Sequence, residues 1–280
     1  ISASNKPTMT TLKEDLWKTL EDLTHEEFKK FKWLLKDAAN DSQAIPAARL
    51  ENADRQDTVD LMVQRYGCLE ALRKSTQLLE KICRNDLAQQ MQQFAVDVTL
   101  NPNTAHPNLI LSEDGKQVHC SDAKQNLPDN PERFSNAVNV LGRQSFSSGR
   151  FYYEVQVRGK TAWDLGVVYK SIGRKGSIKT SPDDGHWAIC LRGGDTFKAA
   201  GLSWSVKTAV NKVGVFVDYE KGLVSFSDVD SAELIHRYRD CSFKEDLHPF
   251  FSPGIYHGGL NSTPLVISPL NSAAPPLSAP

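Results

Sequence analysis

Residue types able to carry chemistry are present in this chain, but their spacing does not gather them. The seven histidines never form His-x-x-x-His or His-Glu-x-x-His, the spacings that place two imidazoles on one helix face for zinc. No Gly-x-Ser-x-Gly turn presents a serine nucleophile, and the phosphate-cradling patterns Gly-x-x-x-x-Gly-Lys-Ser/Thr and Gly-x-Gly-x-x-Gly are missing. Gly173-Arg-Lys-Gly176 and Gly193-Gly194 have the wrong spacing for either. His119 and Cys120 are chain neighbours, so on a strand they point to opposite faces and read as structural rather than as base and nucleophile. Asp183 and Asp184 stand in Ser-Pro-Asp-Asp-Gly, the composition of a solvated turn. What is left is charge. Glu14 and Glu21 are seven apart on one helical face, Lys29, Lys32 and Arg49 fall on later elements, and Lys170, Arg174, Lys175 and Lys179 form a basic stretch. Such groups bind rather than catalyse, and a solvated charged exterior is the plain alternative for each set. No enzyme activity, cofactor or metal is expected.

The elements that must position these charges come in two kinds. A length of 280 residues suits two domains, and 40% hydrophobic with 24% charged residues is an ordinary globular composition. Up to residue 94 there are 14 Lys+Arg and 15 Asp+Glu, with 19 of each beyond it, so neither half is a basic module and no nucleic-acid partner is expected. No apolar run approaches the roughly 18–20 residues of a membrane-spanning helix. Five widely spaced cysteines, none in a Cys-x-x-Cys pair, read as reduced thiols and imply a cytoplasmic protein. Residue 1 is Ile rather than Met, which leaves open a chain that begins inside a longer one. Two glycosylation sequons, at Asn40 and Asn261, read as chance occurrences.

From residue 10 to 94 the apolar residues recur at helical spacing: Leu12, Leu16, Leu20 and Leu23, then Phe28, Phe31 and Leu35. Thr24-His-Glu-Glu27 is a capping box that ends one helix near Asp22 and starts the next at Glu26. Pro46 calls for a loop or short distorted helix, Gly67 for a helix stop, and Asn85 can cap a last helix. The sum is a small antiparallel bundle of five or six helices. After Phe94 the period becomes two. Runs beginning at Phe151, Trp163, His186, Val213 and Leu223 alternate between turn clusters, the last two joined by the hairpin loop Asp218-Tyr-Glu-Lys-Gly222, and together imply an antiparallel β-sandwich. Trp163, Trp187, Phe216, Phe226, Phe250 and Phe251 are the expected sandwich core. Little linker separates the halves, which restricts their orientation. Residues 1–9 and the proline-rich 271–280 are expected to be disordered.

The segments Leu20-Glu-Asp-Leu, Glu26-Glu-Phe-Lys-Lys-Phe-Lys32, Ile45-Pro and Leu50-Glu-Asn-Ala-Asp-Arg-Gln-Asp-Thr-Val-Asp-Leu-Met-Val-Gln-Arg-Tyr-Gly67 resemble pyrin domains of the death-fold superfamily, over residues 10–94. Residues 95–270 resemble a PRY–SPRY (B30.2) domain. The PRY opening is Asp97-Val-Thr-Leu-Asn-Pro-Asn-Thr, and the SPRY motifs are Leu127-Pro-Asp-Asn-Pro-Glu-Arg-Phe134, Gly149-Arg-Phe-Tyr-Tyr-Glu-Val155, Trp163-Asp-Leu-Gly-Val167 and Pro249-Phe-Phe-Ser-Pro-Gly254. The resemblance implies a six-helix death fold followed by the sandwich, in a cytoplasmic innate-immune adaptor or regulator. Its pyrin half would self-associate and assemble with other pyrin-domain proteins, such as the inflammasome adaptor, and its B30.2 half would recognise a protein or small ligand. Pyrin assemblies set an acidic face against a basic one, and matching positions here are Glu14, Glu21, Asp54 and Asp57 against Lys29 and Lys30. The basic residue that often follows Ile-Pro is Ala47 here, so Arg49 must substitute or the contact weakens. Alignment to the family's binding loops selects Arg192, Phe197, Trp204, Tyr256 and His257 for the ligand. A decoy that blocks pyrin filaments, or a piece of a larger NOD-like receptor or tripartite-motif ligase, are the alternatives.

Overall fold

The computed structural model describes residues 11–36, 44–92, 94–206 and 208–269. Residues 1–9, residues 271–280 and the sequon at Asn40 lie outside them. Among the described residues six helices come first: α1 (Thr11–Glu21), α2 (His25–Lys36), α3 (Ala47–Glu51), α4 (Arg55–Tyr66), α5 (Cys68–Lys81) and α6 (Asn85–Gln92). The leucine stripe of α1, the Phe28/Phe31/Leu35 stripe of α2 and Val59, Met62, Leu72, Leu79 and Met91 close on one another as a single buried cluster, because each helix has only one apolar stripe to hide. The expected capping box starts α2: Glu27 Oε2 accepts from the Thr24 backbone N–H at 2.7 Å, and Thr24 Oγ1 accepts from the Glu27 N–H at 3.3 Å. Helix α2 begins at His25, one residue earlier than the spacing predicts. Helix α3 is the short piece that Pro46 calls for. A second capping box, Asp54 with Asp57, starts α4. Gly67, at φ 78°, ends α4 and begins α5, a backbone angle that side-chain-bearing residues avoid.

Among the described residues, thirteen strands then build two packed sheets. One is ordered β1 (Leu109–Leu111), β2 (Gln117–Cys120), β13 (Leu265–Ile267), β4 (Arg150–Gln156), β9 (Lys212–Asp218), β10 (Leu223–Asp228), β11 (Leu234–Tyr238). The other is ordered β3 (Val140–Leu141), β12 (Leu247–Ser252), β5 (Trp163–Tyr169), β6 (His186–Arg192), β7 (Thr196–Ala199), β8 (Leu202–Ser205). Neighbouring strands are antiparallel throughout. Phe151, Tyr153 and Val155 of β4 and the three valines of β9 face Trp163, Leu165, Trp187 and Ile189 across the inter-sheet core. Of the six aromatic residues expected there, Trp163, Trp187, Phe226 and Phe251 are in that core. Phe250 points the other way into a satellite cluster with Phe134 and Leu141. Phe216 also points outward, and with Tyr152 it is buried in the helical cluster instead. Period two is the reason: Val215 and Val217 claim the inner face of β9.

Candidate functional site

On the helical domain, the charged positions fall on exposed surface, except Glu14, which is half-buried, and they do not form one set. Glu14 accepts from Lys18 Nζ at 2.7 Å, which holds its carboxyl below the usual carboxylate range. Lys221 and Arg237 of the sandwich also act on it, so this end of α1 looks toward the other domain. Glu21, at the far end of α1, lies 4.0 Å from Arg55 Nε. Arg55 donates to the Leu20 and Leu23 carbonyls at 2.7 Å each, tying the start of α4 to the α1–α2 turn and placing Glu21 near the Asp54/Asp57 cap. The two aspartates therefore work locally: Asp54 Oδ1 accepts from the Asp57 N–H at 2.8 Å. Lys29 and Lys30 are exposed on α2. Arg49, exposed on α3, lines a shallow depression of about 440 Å³ with Asp57 and Asp60 rather than extending a purely basic surface. Trp33 is a residue that charge spacing passes over. It stands on α2 at helical spacing from Lys29, Lys30 and Lys36 and is 58% exposed, the sort of aromatic anchor that dominates protein interfaces. Its signal in the sequence was only that it breaks the apolar stripe of α2.

On the sandwich, the outward residues of β5, β6 and β7 line a pocket of about 360 Å³ that includes Asp164, His186, Cys190, Arg192 and Lys198. Register explains the gathering: Asp164 pairs with Cys190 and Cys190 with Lys198, all facing away from the core. Arg192 Nη1 donates to Asp164 Oδ1 at 2.5 Å and to the Trp163 carbonyl at 3.1 Å. Burial pushes the Cys190 thiol up and holds His186 down to about 4. At neutral pH the thiol keeps its proton and the imidazole is neutral, so the pair offers polar contacts but no activated nucleophile. Among the described residues no group of three or more His, Cys, Asp or Glu could hold a metal ion, and no helix is long and apolar enough to cross a membrane.

The other loop candidates fall elsewhere. Phe197 is 1% exposed: β7 turns it inward beneath Trp163, at 5.6 Å between ring centroids, and turns Lys198 out in its place. Trp204 is also a strand residue rather than a loop residue. Paired with Phe197 and stacked on His236 of β11, it closes the open edge between the sheets. Tyr256 is half-buried and His257 exposed at a separate turn, and neither lines the pocket. That turn is held by Asn261, 0% exposed, whose Nδ2 donates to the carbonyls of Ala162, Pro253 and Ile255 and whose Oδ1 accepts from the Thr161 and Ala162 N–H groups. The basic stretch is internally engaged: Lys175 pairs with Asp129, Lys179 with Asp184, and Arg174 lies over the Phe134 ring.

Three family models match the chain: PAAD/DAPIN/Pyrin domain over residues 15–89, SPRY-associated domain over 98–146 and SPRY domain over 150–263. Human "Pyrin" is 38% identical over 216 residues, covering 74% of this chain and 28% of that protein. "E3 ubiquitin-protein ligase TRIM21" of Bos taurus is 36% identical over 238 residues, covering 80% of this chain and 51% of that protein. "Nuclear factor 7, brain" of Xenopus laevis is 46% identical over 169 residues, covering 59% of this chain and 28% of that protein. The chain thus spans about a quarter to a half of the length of these relatives. The solved "TRIM65 PSpry domain" superposes with a TM-score of 0.54 at 20% identity, over 64% of this chain and 93% of that one, a likeness of fold. With its bundle, its sandwich and these matches together, the chain is a pyrin-type helical domain fused to a PRY–SPRY (B30.2) β-sandwich, the domain types of the pyrin and tripartite-motif proteins.

Proposed function

We propose that the chain is an innate-immune signalling adaptor or regulator, in which the helical domain makes homotypic contacts with pyrin domains and the sandwich recognises a protein or small ligand. Its domain composition is typical of innate-immune signalling and E3-ligase family proteins. The observation that carries the reading is an exposed acidic set, Glu21, Asp54 and Asp57, and an exposed basic one, Lys29 and Lys30 beside Trp33, on one bundle. A heterologous pair of surfaces propagates into open assemblies, and complementary charge directs the encounter. On the sandwich, the pocket around Asp164 and Arg192 is the place for the ligand. All five cysteines are free, which fits a cytoplasmic setting.

The test follows the full chain by light scattering and electron microscopy, with Glu21→Lys and Lys29→Glu. Each single reversal is expected to suppress assembly or binding of a pyrin domain, and unchanged assembly in both would sink the reading. Ala47 favours a second reading, a decoy that binds pyrin domains and blocks their growth, because the first position of α3 offers no charge. A chain that stays monomeric yet binds another pyrin domain selects that reading. The coverage of the relatives keeps a third open, a part of a larger receptor or ligase.

A further inference from the structure

The outer face of the β4–β9 pair is not a solvent face. Tyr152 and Phe216 stand opposite one another on it, 1% and 3% exposed, inside the same cluster as Leu16, Cys68 and Phe94. Glycine at position 214 makes room for the tyrosine, since a Cβ there would meet its hydroxyl at 2.5 Å. Beside them Glu154 is 2% exposed, and a carboxylate is tolerated at such a place only when fully partnered. Its Oε1 accepts from the Tyr152 hydroxyl at 3.0 Å and from the Leu69 backbone N–H at 2.9 Å, while Oε2 lies 3.3 Å from Lys212 Nζ. Leu69 is the second residue of α5, whose N-cap position is Gly67 and has no side chain to offer. The carboxylate that satisfies this helix start and opposes its dipole is thus supplied by the sandwich. At the other edge of the contact Arg150 Nη1 meets Asp15 Oδ1 on α1 at 2.7 Å, with its guanidinium 4.2 Å from the centre of the Phe94 ring. Gly67, at the α4–α5 corner, packs toward Val229.

We infer that this face is a docking surface whose occupant is the chain's own helical domain, and that docking withdraws Cys68, at the start of α5, and the Asp15 edge of α1 from every other partner. Lys29, Lys30, Arg49, Glu21, Asp54 and Asp57 all stay exposed in the docked chain. A head-to-tail contact between the two charged faces therefore forms with the sandwich in place, whereas any contact through Cys68 or the Asp15 edge requires release. Docking itself does not depend on the assembly reading; only this consequence does.

Hydrogen exchange on the full chain reads docking directly at the first turn of α5. Arg150→Asp and Asp15→Arg, made singly, place like charges together and are expected to speed exchange at Leu69 by about tenfold or more, the equivalent of one hydrogen bond. The double variant restores the opposite-charge pair and with it the protection. Glu154→Ala removes the cap acceptor and exposes the same amide, while the isosteric Glu154→Gln, which keeps an acceptor oxygen, retains most of the protection. If Leu69 exchanges as fast in the wild type as in Glu154→Ala, or if the double charge swap fails to restore a protection the singles have lost, the interface does not exist in solution. Where the exchange results hold, crosslinking through the native Cys68 in a Cys83→Ser chain tests the consequence: rapid capture of a second copy through Cys68 by the docked chain would overturn it.

Discussion

Asn261 and His186 show how single polar residues are committed inside the sandwich. Asn261 spends its amide on five backbone groups from two segments, so Asn261→Leu strands three carbonyls and two N–H groups. The expected loss is about 3 kcal/mol or more in urea unfolding, since each orphaned buried group costs about 1–3 kcal/mol. The same burial keeps a glycosyl group off the folded protein, so Asn261 is a structural residue and its sequon a coincidence. His186 packs its ring edge-on to Phe250 and is held to about 4 by burial. Between that value and the ordinary 6.5 the unfolded chain binds the proton and the folded one does not, so acidification through this window costs stability, up to about 3 kcal/mol. Thermal unfolding at pH 7 and pH 5 checks this: the wild type should lose more than His186→Phe, and equal losses would remove the histidine from the account.

At the scale of elements, the two capping boxes separate residues that build the bundle from residues free to recognise a partner. Asp54 takes the N–H of Asp57, so Asp54→Ala should cost about 1 kcal/mol of stability, read in a denaturant melt. Glu21 makes only a 4.0 Å surface contact with Arg55, and Glu21→Lys should stay within about 0.5 kcal/mol of the wild type. A binding defect in Glu21→Lys therefore reports on recognition, whereas one in Asp54→Ala mixes recognition with fraying. The strands make a similar division. Alternation places β4, β5, β6, β9 and β10 directly from the sequence, but β7 and β8 are short and carry Phe197 and Trp204 in segments rich in glycine and polar residues. Loop composition there outweighs a period that has only two or three repeats to declare itself.

For the whole molecule, the helical cluster includes Tyr152 and Phe216, and the two domains are therefore coupled through side chains rather than only through the chain between them. Phe216→Ala is expected to cost about 3–5 kcal/mol, the usual range for a buried phenylalanine. Because its ring belongs to the helical core while its backbone belongs to β9, the loss should appear at once in helical circular dichroism and in tryptophan fluorescence, as one shifted transition. Two well-separated transitions, with only the sandwich affected, would show that the domains unfold independently.

Fold class was determined by the sequence alone, because the 3.6- and 2-residue periods and the Thr24, Asp54 and Gly67 punctuation are local properties that need no distant partner. The exposure of Glu21, Lys29, Lys30, Asp54 and Asp57 was legible for the same reason: it follows from lying off the apolar stripe. Tertiary structure decided what depends on which faces meet. Alternation turns Phe216 and Tyr152 outward, and only the packing of helices against that face buries them. Strand register alone gathers Asp164, Cys190, Arg192 and Lys198 into one pocket from three strands. The cap of α5 comes from Glu154, 85 residues along the chain, and no local pattern announces a hydrogen bond that exists only where two surfaces distant in sequence have met.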